Sequence, residues 1–131
     1  AVEWNFSGMP SGADDRFFTD DGGTSLGQLG TPLDLHQSLG LSLVDDWLGL
    51  RATFRMNRPS GFWSFPVETV SQSEGGFELV HQSVVVMPHW TLTPDDQGRW
   101  SVTFQLETAT PRVEFDSIDS KNLAATEVVS E

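Results

Sequence analysis

Cysteine is absent from the chain, which excludes disulfides, thiolate metal sites and cysteine nucleophiles and leaves the compartment unreadable from redox chemistry. Basic residues are scarce: 7 against 19 acidic ones, with Lys121 the only lysine, for a net charge of −12. A phosphate backbone needs a concentrated basic surface, so nucleic acid is excluded as a partner, and an anionic membrane for the same reason. No apolar run approaches the roughly 20 residues that span a bilayer, and no signal peptide is read at the start. Ala1 to Phe6 already read as structure, so a mature or excised domain is expected, soluble and either cytoplasmic or secreted. No strand-to-helix elbow of the Gly-x-Ser-x-Gly type is read, since the serines fall in turn-rich stretches, and no phosphate-cradling glycine loop is followed by a helix, which removes two common catalytic designs.

What is present is alternation. Val2, Trp4 and Phe6 alternate with Glu3 and Asn5. Leu50, Ala52, Phe54 and Met56 alternate with Arg51, Thr53 and Arg55. Trp100, Val102, Phe104 and Leu106 alternate with Ser101, Thr103 and Gln105. Successive strand side chains project to opposite faces, so this pattern predicts half-buried strands. The longer apolar run Phe77 to Met87 suits a strand covered on both faces. Leu39 to Leu50 reads as strand, although DDWLGL has the makings of one helical turn.

Seven prolines and twelve glycines break the chain at short intervals, which argues against long helices. SEGG, between Ser73 and Phe77, reads as a hairpin loop, and Thr93 to Gly98 as a turn before the strand at Trp100. The fold class expected is all-β, an antiparallel β-sandwich with little helix. Its body is placed at residues 1–109. Residues 110–131 are expected to add an edge strand, Pro111 to Phe115, and a flexible C-terminal tail.

One stretch is more particular than strand propensity requires. FWSFPVETVSQSEGGFELVHQSVVVMPHW, Phe62 to Trp90, resembles the C-terminal β-domain of family-57 glycoside hydrolases, the α-amylase and 4-α-glucanotransferase group. VEWNFSGMP at Val2, DDRFF at Asp14 and LSLVDDWLGLRATF at Leu41 resemble further parts of that domain, in the same order. The resemblance implies a mutarotase-like or jelly-roll-like sandwich that follows a catalytic barrel. In that group the barrel carries the glutamate nucleophile and the aspartate acid/base, and its motifs do not occur in this chain. It therefore implies a non-catalytic accessory role: binding α-1,4-glucan, packing on the catalytic domain of a glycoside hydrolase, or both.

Candidate sites follow from residue chemistry. A sugar platform needs an aromatic ring exposed beside amides or carboxylates. Trp63, Trp90 and Trp47 sit off the alternation, next to turns, and are the candidates for sugar contact. Gln72, Glu74 and His81, in and beside the ETVSQSEGGFE stretch, are candidates for hydrogen bonds to hydroxyls. Glu68 and Glu74 are a poor catalytic pair, since six residues of strand separate carboxylates by roughly 20 Å. The histidines His36, His81 and His89 have no metal-ligand spacing. No cofactor is expected, except that Asp14, Asp15, Asp20 and Asp21 form an acidic loop region with glycines, which suits calcium. Arg51 and Arg55 share a strand face and are expected to pair with carboxylates across the sheet. Two other readings stay open: a sandwich used for protein contact alone, and a small sugar-active enzyme of mutarotase type using His81 with Glu68 or Glu74.

Overall fold

The structure is a computed structural model that describes residues 1–9 and 12–110 in full and residues 122–130 as backbone. Eight strands carry the described chain, and it contains no helix: β1 (Trp4–Ser7), β2 (Arg16–Asp20), β3 (Ser25–Gln28), β4 (Leu33–Asp45), β5 (Leu50–Ser73), β6 (Gly76–His89), β7 (Trp100–Ala109) and β8 (Asn122–Ser130). Every pairing is antiparallel.

The sandwich is made by a bend in β5. A straight strand of its 24 residues would reach about 80 Å, several times the usual strand length. Instead its first part, Arg51 to Met56, pairs with β7 and with the end of β4, and its second part pairs with β6 and the start of β4. The change falls at Asn57–Pro59. Pro59 has no N–H to give a ladder, and the Asn57 side chain accepts the Thr103 N–H at 2.9 Å. On β4 the register jumps between Ser38 and Gly40, where the Ser38 hydroxyl donates to the Gly40 carbonyl at 2.7 Å. Strands that cross from one sheet to another commonly do so through such bends and bulges.

Two layers result. One runs β3-β2-β4-β5-β7-β8 and the other β4-β5-β6-β1, sharing β4 and β5. Their contact is aromatic. Trp4 of β1, whose strand is hydrogen-bonded to β6, meets Phe54 of β5 at 6.0 Å and Phe104 of β7 at 5.9 Å, both edge to face. Phe62, from beyond the bend, packs back on Phe54. Around these rings lie Phe18, Leu41, Leu43, Val84, Val86 and Leu106, all buried. The inward sets Ala52, Phe54, Met56 and Trp100, Val102, Phe104, Leu106 are those the alternation predicts.

The DDWLGL segment forms a turn, because Asp45 closes it. Its side chain is fully buried; one oxygen accepts the Leu48 N–H at 2.9 Å and the other the Arg16 guanidinium at 3.3 Å.

Two expectations differ from the structure. Phe77 to Met87 is not covered on both faces throughout: Val84, Val85 and Val86 are, while Phe77, Leu79 and Val80 stand in solvent. The reason is length, since β6 pairs with β1 only from Ser83 onward and runs beyond the opposing layer at its other end. Residues 122–130, read from sequence as tail, form β8 along β7, from Trp100↔Ser130 to Glu107↔Asn122. Their weak alternation hides a strand held by backbone pairing. The edge strand expected at Pro111 to Phe115 lies outside the described residues.

Candidate functional site

The end of the sandwich at the β5 bend gathers the most chemistry. Gly61 of β5 is paired with His89 of β6, and Trp63, two residues on, lies on the same outer face. Gly61 has no side chain there, and the His89 ring occupies that space; a Cβ would fall on the imidazole. Thus seated, the imidazole stacks on the Trp63 indole, with centroids 3.9 Å apart and planes 27° from parallel. Trp63 remains 44% exposed, so part of the indole is open to solvent.

Beside this stack is a cleft of about 380 Å³, lined by His36, Gln37, Pro59, His89, Trp90 and Trp100, among others. Trp90 tilts against Trp100 at 5.9 Å, and the Arg58 guanidinium lies 4.8 Å from the Trp100 ring, a cation–π arrangement. Trp90 Nε1 and His89 Nε2 are buried and have no hydrogen-bond partner among the described residues. A buried polar group left so costs about 1–3 kcal/mol. The wall therefore combines apolar ring surface with imidazole, amide and hydroxyl groups, and carries no carboxylate. Such a wall can pack on an uncharged ligand and hydrogen-bond to it.

The residues singled out from sequence are not brought together. Trp63 and Trp90 share the bend end, the latter half-buried against the core. Trp47 is 67% exposed, but in the β4–β5 turn. Gln72 and Glu74 are at the far tip of the β5–β6 hairpin, nine residues or about 30 Å of strand from Trp63 in the case of Gln72. His81 is on the inner face at the base of that hairpin, across from Glu68, with Nε2 2.8 Å from the Met9 carbonyl oxygen. His89, His36 and Gln37 escaped sequence reasoning. The signal for His89 was Gly61, but their pairing rests on a register that no local pattern carries.

The four aspartates split into two pairs at opposite ends of β2. Asp14 accepts from Gln28 and Asp15 pairs with Arg16 at 3.2 Å, while Asp20 accepts the Thr24 N–H at 2.8 Å in the next turn. Five residues of strand separate the pairs by about 17 Å, too far to share one ion. Among the described residues no group of three or more His, Asp or Glu side chains is placed to hold a metal.

A second, smaller trough of about 200 Å³ crosses the outer face of the other layer, between Asp20 and Asp21 on one side and Arg51 and Arg55 on the other. Its floor is the register row Thr19, Ser42 and Thr53, the last two hydrogen-bonded at 2.9 Å. Arg55 reaches Glu107 of the neighbouring strand at 4.0 Å, a cross-strand ion pair of the expected kind.

Residues 1–104 fit the family profile described as alpha-amylase/4-alpha-glucanotransferase, C-terminal. No curated protein and no solved structure matches the chain.

Proposed function

Since the chain belongs to the family of alpha-amylase/4-alpha-glucanotransferase C-terminal domains, we propose that it is a non-catalytic accessory domain that holds α-1,4-glucan against the Trp63–His89 stack and the adjoining cleft. The observation that carries this reading is the half-exposed Trp63 indole, fixed in place by His89 on a glycine seat. A pyranose presents C–H groups on its face and hydroxyls around its rim. An immobilised ring with imidazole and amide groups beside it answers both, and loses little side-chain entropy when the sugar arrives. The chain's surplus of carboxylates does not oppose the ligand, because a glucan is uncharged.

The bond-breaking step would belong to another domain. Glu68 faces solvent across from His81 and Glu74 is in the hairpin turn, six residues away along the chain. That is roughly 20 Å of strand, against the 5–10 Å that glycoside hydrolysis requires between its two carboxyls.

Affinity electrophoresis through soluble starch and calorimetry with maltoheptaose test the proposal. The expected result is retardation and a Kd near 1 mM, about −4 kcal/mol. Trp63→Ala should abolish retardation, Trp47→Ala should leave it unchanged, and the chain alone should release no reducing sugar. An unretarded wild-type chain would remove the reading.

A further inference from the structure

The β5–β6 hairpin projects beyond the sandwich. β4 leaves β5 after Ser64, and β1 leaves β6 at Ser83. From Glu68 to His81 the two strands therefore pair with each other alone among the described residues. Opposite residues in an antiparallel pair share a face. Through the bulge after Val67, one face of the arm continues the core-facing side of its layer, as His81 shows by bonding to Met9, a core residue. On that face Val70 is opposite Leu79 and Gln72 opposite Phe77. Val70, Phe77 and Leu79 are 66%, 77% and 69% exposed.

Among the described residues no opposing layer covers this core-type surface. The three side chains present on the order of 400 Å² of apolar area, the size at which an exposed patch on a monomer marks an interaction site. A two-stranded ribbon with both edges open is also marginally stable in water on its own. Both features call for a covering surface.

Charge selects the occupant. Glu68 bounds the apolar face at its base and Glu74 at its tip, with Glu78 on the reverse side, and no lysine or arginine occurs between Arg58 and Arg99. Two copies packed through this arm would set carboxylate against carboxylate on chains of net charge −12. An apolar surface edged by arginine or lysine would be attracted instead. We propose that the hairpin is a docking arm that seats Val70, Phe77 and Leu79 on such a surface of an amylase or glucanotransferase catalytic domain. The proposal rests on the family membership and is independent of the glucan contact at Trp63.

The test is surface plasmon resonance between this chain and the catalytic domain of the same organism's α-amylase or 4-α-glucanotransferase, prepared without its own C-terminal domain. The expected result is saturable binding that falls at least tenfold in a Phe77→Asp, Leu79→Asp double variant and several-fold in Glu68→Lys, Glu74→Lys. Circular dichroism should be unchanged in both, since all four side chains are in solvent. Trp63→Ala should bind the catalytic domain normally, and the Asp double variant should still be retarded by starch, which separates this proposal from the glucan reading. Absence of wild-type binding, binding indifferent to Phe77 and Leu79, or a concentration-dependent homodimer lost in the Asp double variant would each overturn it.

Discussion

At the scale of single residues, two contacts control the ends of the sandwich. Asp45 has no exposure at all, and it is held by the Arg16 guanidinium and the Leu48 N–H. Removing Asp45 takes the buried carboxylate from Arg16, which has little access to water and keeps the part-exposed Asp15 carboxylate as its ion-pair partner, and leaves the Leu48 N–H without its acceptor. Asp45→Ala is expected to cost about 3 kcal/mol, read as a lower urea midpoint at unchanged m-value. Gly61 is the second control point. Gly61→Ala drives a methyl into the His89 imidazole, so the ring must leave the Trp63 face. Overpacking of this kind costs about 1–3 kcal/mol. His89→Ala in the same chain should restore most of that loss, because the clash is with the ring and not with backbone. A double-mutant cycle by denaturant unfolding checks it, and purely additive losses would show that the strain lies elsewhere.

The elements differ in how well the sequence announces them. Leu50 to Met56 and Trp100 to Leu106 have one face in the core and one in water, so composition alternates as geometry does. The β5–β6 arm has no such transparency: Phe77, Leu79 and Val80 read as core, because an apolar side chain has the same signature whether a second layer or another protein covers it. The bend in β5 lies at Asn57–Pro59, where turn-type residues interrupt the alternation; Asn57 bridging to Thr103 lets the strand pass through it. Of the candidate site, Trp63 and Trp90 were legible because they break the alternation. Their partner His89 was not, since the seat at Gly61 depends on long-range register. The arm and the core can be separated by experiment. Phe77→Ser, at 77% exposure, should change unfolding free energy by less than about 0.5 kcal/mol. Phe62→Ala, fully buried against Phe54, should cost about 3–5 kcal/mol. Equal losses at both positions would mean that the arm is part of the core.

For the whole molecule, the dominant fact is a net charge of −12 on a chain with 7 basic residues. Self-repulsion of that size opposes the compact state, and salt relieves it: the screening length falls from about 10 Å at 0.1 M to about 3 Å at 1 M. Among the described residues, the ion pairs that salt would weaken are few. Arg16–Asp45 is buried and poorly screened, while Arg55–Glu107 is half-exposed at 4.0 Å and contributes little. Repulsion therefore outweighs attraction across the surface, and Tm is expected to rise between 20 mM and 0.5 M NaCl in thermal unfolding followed by circular dichroism. The same change divides the two proposed contacts. A glucan at Trp63 is uncharged, so retardation by starch should not respond to salt. A cation-edged protein surface on the hairpin meets Glu68 and Glu74, so docking should weaken several-fold as those carboxylates are screened. A Tm that falls with salt would mean that attractive pairs govern the surface, and the acidic excess would then no longer argue against a second copy of the chain on the arm.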